Sequence, residues 1–199
     1  MLEKIINIWD KYWMLFMQGL GITLLLSLII VIVGTLLGFL LAMFRLSNWK
    51  IAKIRPLNTV AGIYVEIVRG TPMLLQLYFF YFMLPMAFPK MNLSPVVCAT
   101  VALCLNSAAY VSEVIRSGIQ AVDKGQMEAG RSLGLNYMTT MRFIVIPQAV
   151  KAILPALGNE FIILLKDTSL ITVIGGKELL YAAQGIYNRT YEQMFPLIG

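Results

Sequence analysis

The most constraining feature of the sequence is a long gap in its charge, because no charged residue occurs between Lys11 and Arg45. Residues 19–44 within this gap would extend to roughly 39 Å as a helix, against a bilayer hydrocarbon core of about 30 Å. Apolar residues fill the gap without the spacing of a helix that keeps one polar face. The gap therefore predicts a membrane-spanning helix.

The composition indicates that the rest of the chain also lies largely in a membrane. Charged residues make up 13% of it, whereas soluble domains carry about 25%. The net charge of +6 fits basic cytoplasmic loops, and no basic cluster with interleaved aromatic residues indicates nucleic acid. The sequence has no histidine, and its two cysteines, Cys98 and Cys104, lie in one apolar run. We therefore expect no metal site, cofactor, catalytic triad or disulfide.

Further apolar runs predict an all-α, polytopic membrane protein with a single transmembrane domain over residues 1–199. It would have about five spanning helices, the last of them incomplete. The predicted segments are an amphipathic stretch at 1–17, spanning helices at 18–44, 57–84, 94–117 and 150–166, a polar loop at 123–142, and the start of a last helix at 191–199. Gly34 and Gly38 have the GxxxG spacing that admits a close helix neighbour.

The distribution of lysine and arginine predicts the orientation, since basic residues collect on the cytoplasmic side. Loops 45–55 and 116–151 hold nine of these residues, and the segments on the other side hold six. We therefore place both loops in the cytoplasm and the N-terminus outside. The first apolar block is too long for a signal-peptide core, so we expect it to be retained.

The polar loop carries a motif with regular spacing. It reads Glu128-Ala129-Gly130, three residues, Gly134, nine residues, and Ile144-Val145-Ile146-Pro147. This resembles the EAA loop of ABC importer permeases, with Gly130 in place of the second alanine and Ile146 in place of leucine. The alternative for this loop is an ordinary amphipathic connecting helix, and the matched spacing argues against it.

In such a loop we expect a short cytoplasmic coupling helix from about Lys124 to Leu133, capped by Gly134 in the left-handed conformation. Small side chains at Ala129 and Gly130 would let the helix lie deep in a groove of a partner. Glu128 near its start would favour the helix dipole. The predicted ATPase-coupling residues are Lys124, Gln126, Glu128, Ala129, Gly130, Leu133 and Gly134.

Other motifs resemble the polar amino-acid uptake permeases. They are residues 66–72 with Gln76, Tyr110 with residues 113–119, residues 125–129, and residues 158–160 with 165–170. The resemblance implies a type I ABC importer subunit that pairs with a second permease chain, identical or different. Two ATPase subunits and an extracytoplasmic amino-acid-binding protein would complete the complex. The chain has no GxxxxGK[ST] phosphate loop, so we expect no ATP hydrolysis and no catalytic residues in it.

Two charged pairs lie beside the spans. Glu66 and Arg69, like Glu113 and Arg116, are three residues apart and share a helix face, which predicts structural ion pairs at the inner boundary. A role in gating or in contact with the ATPase is the alternative.

Glu160 differs from these pairs because it lies nine residues after Lys151 and six before Lys166, deep in the fourth predicted span. A carboxylate at that depth is protonated, paired or exposed to a watery cavity, and such residues are functional by default. We predict a substrate site formed by Glu160, Asn159, Thr71 and Gln76, with a cationic side chain as the natural ligand.

These observations predict a multi-pass permease subunit of the cytoplasmic membrane that imports polar amino acids by alternating access, with a preference for basic ones. One alternative is a proton-coupled secondary transporter with Glu160 as proton carrier, which leaves the polar loop unexplained. Another is a membrane-embedded transferase, which would need a second polar cluster at the depth of Glu160.

Overall fold

The computed structural model describes residues 2–47, 55–191 and 196, with side chains from residue 6 onward. The secondary structure of these residues is entirely helical, as the sequence predicted. The α-helices are α1 (Leu2–Leu46), α2 (Pro56–Gly70), α3 (Met73–Ala87), α4 (Pro95–Gln120), α5 (Lys124–Ser132), α6 (Tyr137–Thr140), α7 (Ile146–Asp167) and α8 (Leu179–Thr190). Pro89–Met91 and Thr168–Ile174 form 3₁₀ turns, and Met141–Val145 forms a π-helical turn that joins α6 to α7.

Three helical stretches in the described residues are long and apolar enough to cross a membrane. They are Ile6–Leu46, Pro95–Gln120 and Tyr137–Ile174, and the bent pair of α2 and α3 adds a fourth if it counts as one span. The predicted spans 18–44 and 150–166 fall inside the first and third stretches, and 94–117 begins one residue before the second. The protein is therefore a polytopic, all-helical membrane protein.

The single helix predicted over 57–84 is broken in the structure, which corrects that prediction. Gly70 ends α2, and Thr71 adopts an extended conformation with φ −107° and ψ 137°. Pro72 explains the break, because its ring disfavours the helical conformation of the preceding residue and it has no N–H for the helix ladder.

The N-terminal segment predicted at 1–17 is also not separate. It continues into the first span as the single helix α1, whose 45 residues extend to roughly 68 Å. No proline interrupts this stretch, so helical backbone bonds continue through it. The basic side chains expected at Lys50 and Lys53 lie outside the described residues, as does most of the predicted last helix at 191–199.

The chain forms two compact units. Unit one comprises Met1–Ile30, Pro72–Leu103 and Ile163–Gly199, and unit two comprises Val31–Thr71 and Cys104–Ile162. Unit one has a core in which Ile8 and Phe16 of α1 pack against Ala183 and Ile186 of α8. The apolar contact fixes the N-terminal part of α1 beside α8.

In unit two, α1 packs closely against α4. A Cβ atom on Gly34 would lie 2.6 Å from the Ser107 hydroxyl oxygen, and one on Gly38 would lie 2.7 Å from the Val111 Cβ. Glycine at both positions therefore lets the two backbones approach, as the GxxxG spacing predicted. Ala42 continues the same face into a cluster with Val111 and α7.

Candidate coupling surface and charged cluster

Helix α5 has defined ends. Asp123 precedes it, and its carboxylate accepts a hydrogen bond from the Gly125 N–H at 2.6 Å, which satisfies a donor that the helix start leaves open. At the other end Gly134 has φ +84°, the left-handed conformation predicted from the sequence. The N–H groups of Leu135 and Gly134 bond to the carbonyls of Gly130 and Arg131, which is the Schellman arrangement.

One face of α5 packs on the chain itself, and this corrects the expected role of Gly130. The residue is buried, and a Cβ atom there would lie 2.6 Å from the Thr140 Cγ2 and 3.2 Å from the Ile144 Cδ1. Its small size is therefore required by the approach of α5 to α6 and the π-helical turn, within the chain. Gly130 cannot enter the groove of a partner, because this face is already occupied.

The opposite face of α5 is open. Lys124, Glu128 and Ala129 are exposed, and Leu133 at the end of the helix is 81% exposed. Gln126 is also exposed, although its side-chain carbonyl accepts a hydrogen bond from the Gln148 amide at 3.2 Å. The open face therefore combines a cation, an anion and a small residue, and Leu133 adds an exposed apolar side chain directly after the helix.

Asp123, rather than Glu128, serves the start of α5. Glu128 lies in the middle of this nine-residue helix, where the dipole effect is small. The sequence prediction gave the acidic role to Glu128 and did not include Asp123 among the coupling residues. An aspartate directly before a helix is a recognised N-cap signal, so the sequence contained the information.

A cavity of about 510 Å³ lies beside the start of α5. Met127, Met141 and Val145 line its apolar part, and Asp123 and Lys124 line it from the helix start. Methionine side chains adapt to the shape of what they contact. The cavity lies next to the exposed Lys124 at the start of α5.

Glu113 on α4 is the centre of a charged cluster in unit two. Its carboxylate accepts hydrogen bonds from Arg45 of α1 and from Arg116 one turn further along α4, the latter through both carboxylate oxygens. Arg69 of α2 places its Nη1 3.8 Å from the same carboxylate. One acidic side chain thus connects three helices.

The ion pair expected between Glu66 and Arg69 does not form, although the pair of Glu113 and Arg116 does. In the described part of the chain, Arg69 is directed to Glu113, and its guanidinium carbon lies 5.3 Å from the centre of the Tyr110 ring. Tyr110 and Glu113 are both on α4, so the ring and the carboxylate attract the same cation. This combination outweighs the local partner on α2.

The predicted substrate residues lie in different places. Glu160 is buried at 6% exposure on α7, while its neighbour Asn159 is exposed, because adjacent helix positions differ by about 100°. Thr71 directly follows α2 and donates its hydroxyl to the Ile67 carbonyl. Gln76 belongs to unit one and the other three to unit two, so their grouping into one site stays a prediction.

Comparison with known proteins identifies the family of this chain. Residues 34–198 match the family described as "Binding-protein-dependent transport system inner membrane component". The chain belongs to this family. It is therefore a multi-pass inner-membrane component of an ABC importer, the permease and not the ATPase, and membership implies ATPase and binding-protein partners.

Relatives of this permease are similar over most of their length. The arginine transport system permease protein ArtQ of Bacillus subtilis is 42% identical over 92% of this chain and 80% of its own. The glutamine transport system permease protein GlnP of Escherichia coli K12 is 39% identical over 89% of this chain and 80% of its own. A crystal structure of an amino acid ABC transporter with histidines matches with a TM-score of 0.87 and 46% identity, covering 95% of this chain and 85% of that one.

Glu178 in unit one is an acidic residue of this permease that the sequence prediction left without a role. It is 2% exposed, and its carboxylate accepts hydrogen bonds from the Thr172 hydroxyl and, at 2.8 Å, from the Tyr181 N–H at the start of α8. Thr23 of α1 approaches the same carboxylate at 3.4 Å and accepts from the Leu179 N–H. Glu178 therefore caps α8 and holds it beside α1.

Proposed function

We propose that this permease imports polar amino acids with basic side chains by alternating access, driven by ATP hydrolysis in its partner subunits. The observation that carries the proposal is the two-sided construction of α5. Its inner face is fixed to the chain through Gly130 and Thr140, and its outer face, with Lys124, Glu128 and Ala129, is open. A force applied to the outer face is therefore transmitted into α6 and α7 instead of being lost in a mobile loop.

The complex proposed around this chain has two ATPase subunits on the α5 side and a binding protein on the opposite side of the membrane. A second permease chain, either an identical copy or a related one, would complete the pathway. The N-terminus would face outward and α5 the cytoplasm, in agreement with the basic residues in loops 45–55 and 116–151. The cavity beside Met127 and Met141 would receive a side chain of the ATPase.

The preference for basic substrates rests on Glu160. It is buried on α7, a helix whose segment between Lys151 and Lys166 holds no other charged residue. A carboxylate in such surroundings attracts an ammonium or guanidinium group strongly when the pathway admits one. The ArtQ relative and the structure with histidines agree with a basic substrate, while the GlnP relative favours a neutral polar one. Asn159, Thr71 and Gln76 are the proposed companions of Glu160.

Uptake into proteoliposomes tests this function. The permease, its ATPase subunits and the binding protein are reconstituted, and radiolabelled arginine and glutamine are supplied outside. We expect uptake of arginine that requires ATP in the ATPase compartment and persists when a protonophore is added, with arginine taken up faster than glutamine. Uptake that needs a proton gradient and no ATP would support the secondary transporter instead. A preference for glutamine would contradict the basic specificity while leaving the importer intact.

A further inference from the structure

Arg69 is the most loosely held cation in the Glu113 cluster. Its Nη1 lies 3.8 Å from the carboxylate, whereas Arg45 and Arg116 are directly hydrogen-bonded to it. The Arg69 side chain is 41% exposed, compared with 13% for Arg45 and 29% for Arg116. Since one carboxylate has only two oxygens, the third guanidinium is the one that can leave at the least cost.

A second acceptor for Arg69 lies on its own helix. Glu66 precedes it by three residues on α2, a spacing at which side chains meet on a helix surface. Glu66 is exposed, and within the described residues its carboxylate forms no ion pair. Arg69 thus contacts Glu113 on α4 in this structure, and Glu66 on α2 is a second carboxylate that it can pair with.

The cluster lies between two functional parts of the chain. Arg69 is followed directly by Gly70 and the break at Thr71, and Glu113 lies two turns before the end of α4, which leads into α5. Arg45 and Arg116 keep Glu113 fixed, so movement of α4 moves its carboxylate relative to α2. Exposed ion pairs are weak, so neither partner of Arg69 holds it permanently.

We propose that Arg69 is a positioning residue that exchanges between Glu113 and Glu66 during transport, so that contact between α2 and α4 follows the movement of α5. This inference rests on the proposed function. With Arg69 on Glu113, the C-terminal end of α2 is held to α4 through the charged cluster. With Arg69 on Glu66 that link opens, while the Tyr64 hydroxyl of α2 still donates to the Leu105 carbonyl of α4 at 2.8 Å. The exchange gives two discrete arrangements, which a coupled transporter requires of the elements between its ATPase and its pathway.

The ratio of amino acid imported to ATP hydrolysed tests the role of Arg69 in the reconstituted complex. Arg69→Gln removes both ion pairs, and we expect the ratio to fall by about fivefold or more. Arg69→Lys keeps the charge and should restore the ratio to within about twofold of wild type. Arg189→Gln, an exposed arginine in the last turn of α8, is the matched control and should not change the ratio. An unchanged ratio in Arg69→Gln overturns the inference, whereas wild-type complex without ATP-driven uptake would overturn the proposed function.

Distances between spin labels test the exchange itself. Val60 of α2 is 68% exposed and Ser117 of α4 is exposed, so both accept a label once the buried Cys98 and Cys104 are replaced by alanine. We expect one distance in the nucleotide-free complex and a second, longer one after trapping with ATP and vanadate. Glu66→Gln removes the second acceptor and should suppress the longer distance. A single distance in every state, or a longer one unaffected by Glu66→Gln, overturns the exchange.

Discussion

Gly130 lies so close to Thr140 that a Cβ atom on the glycine would come within 2.6 Å of the threonine methyl group. The contact joins α5 to α6 and makes the coupling helix part of a folded unit. Ala129, the residue before it on the helix, is exposed. Two adjacent small residues therefore have opposite tasks, one inside the chain and one at its surface.

Substitutions at these two positions should have separable effects. Gly130→Val forces α5 away from Thr140, and overpacking of this kind costs about 1–3 kcal/mol of stability. We expect a lower melting temperature for the purified permease. Ala129→Gln should leave the melting temperature unchanged and weaken co-purification of the ATPase. The reverse pattern would mean that the two faces of α5 are wrongly assigned.

Gly134→Val should uncouple transport. A β-branched residue at φ +84° is strained by about 1–2 kcal/mol, so the end of α5 would shift while the chain still inserts. The measurement is substrate-stimulated ATP hydrolysis by the purified complex, with Gly134→Asn as the tolerated control, because asparagine adopts the left-handed conformation more readily. Full stimulation in the valine variant would exclude a coupling role for this helix end.

Asp123→Ala should fray the start of α5. Loss of an N-cap costs about 1 kcal/mol, and Asn preserves the cap. Hydrogen exchange of the amides in α5 is the direct readout, and we expect faster exchange in Asp123→Ala than in Asp123→Asn. Equal protection in both variants would contradict the capping bond to Gly125.

The orientation can be tested with reporter fusions. Fusions after Lys50 and Arg131 should report the cytoplasm, and one after Lys90 should report the outside, because of the distribution of basic residues. An external signal at Arg131 would place α5 on the side of the membrane opposite the ATPase and contradict its role in coupling.

Local signals in the sequence predicted some features of the structure and not others. The uncharged run before Arg45 predicted a spanning helix, and a glycine at position 134 predicted a left-handed residue at the end of α5. Both features depend only on residues that are near in the sequence. The packing of Gly130 on Thr140 and the pairing of Arg69 with Glu113 depend on how helices meet. Residue spacing along one helix favoured Glu66 as the partner of Arg69 and contained no information about α4.

Glu178 illustrates a different limit of the sequence. Its charge and position resemble those of an exposed acid in an outer segment, yet it is buried and bonded to groups from three segments. The contact with Thr23 forms only when α1 and α8 come together, whereas Thr172 lies six residues from Glu178 in the chain. Thr23 is 155 residues away in the sequence, so no local pattern predicts that Glu178 is buried.

The most direct test of the account is the selectivity of Glu160→Gln in reconstituted vesicles. The substitution keeps the shape of the side chain and removes its charge, and a charge-assisted hydrogen bond is worth about 1.5–3 kcal/mol. We expect arginine uptake to fall by about tenfold or more, with glutamine uptake, complex assembly and basal ATP hydrolysis retained. Unchanged arginine uptake in an assembled complex would contradict the account.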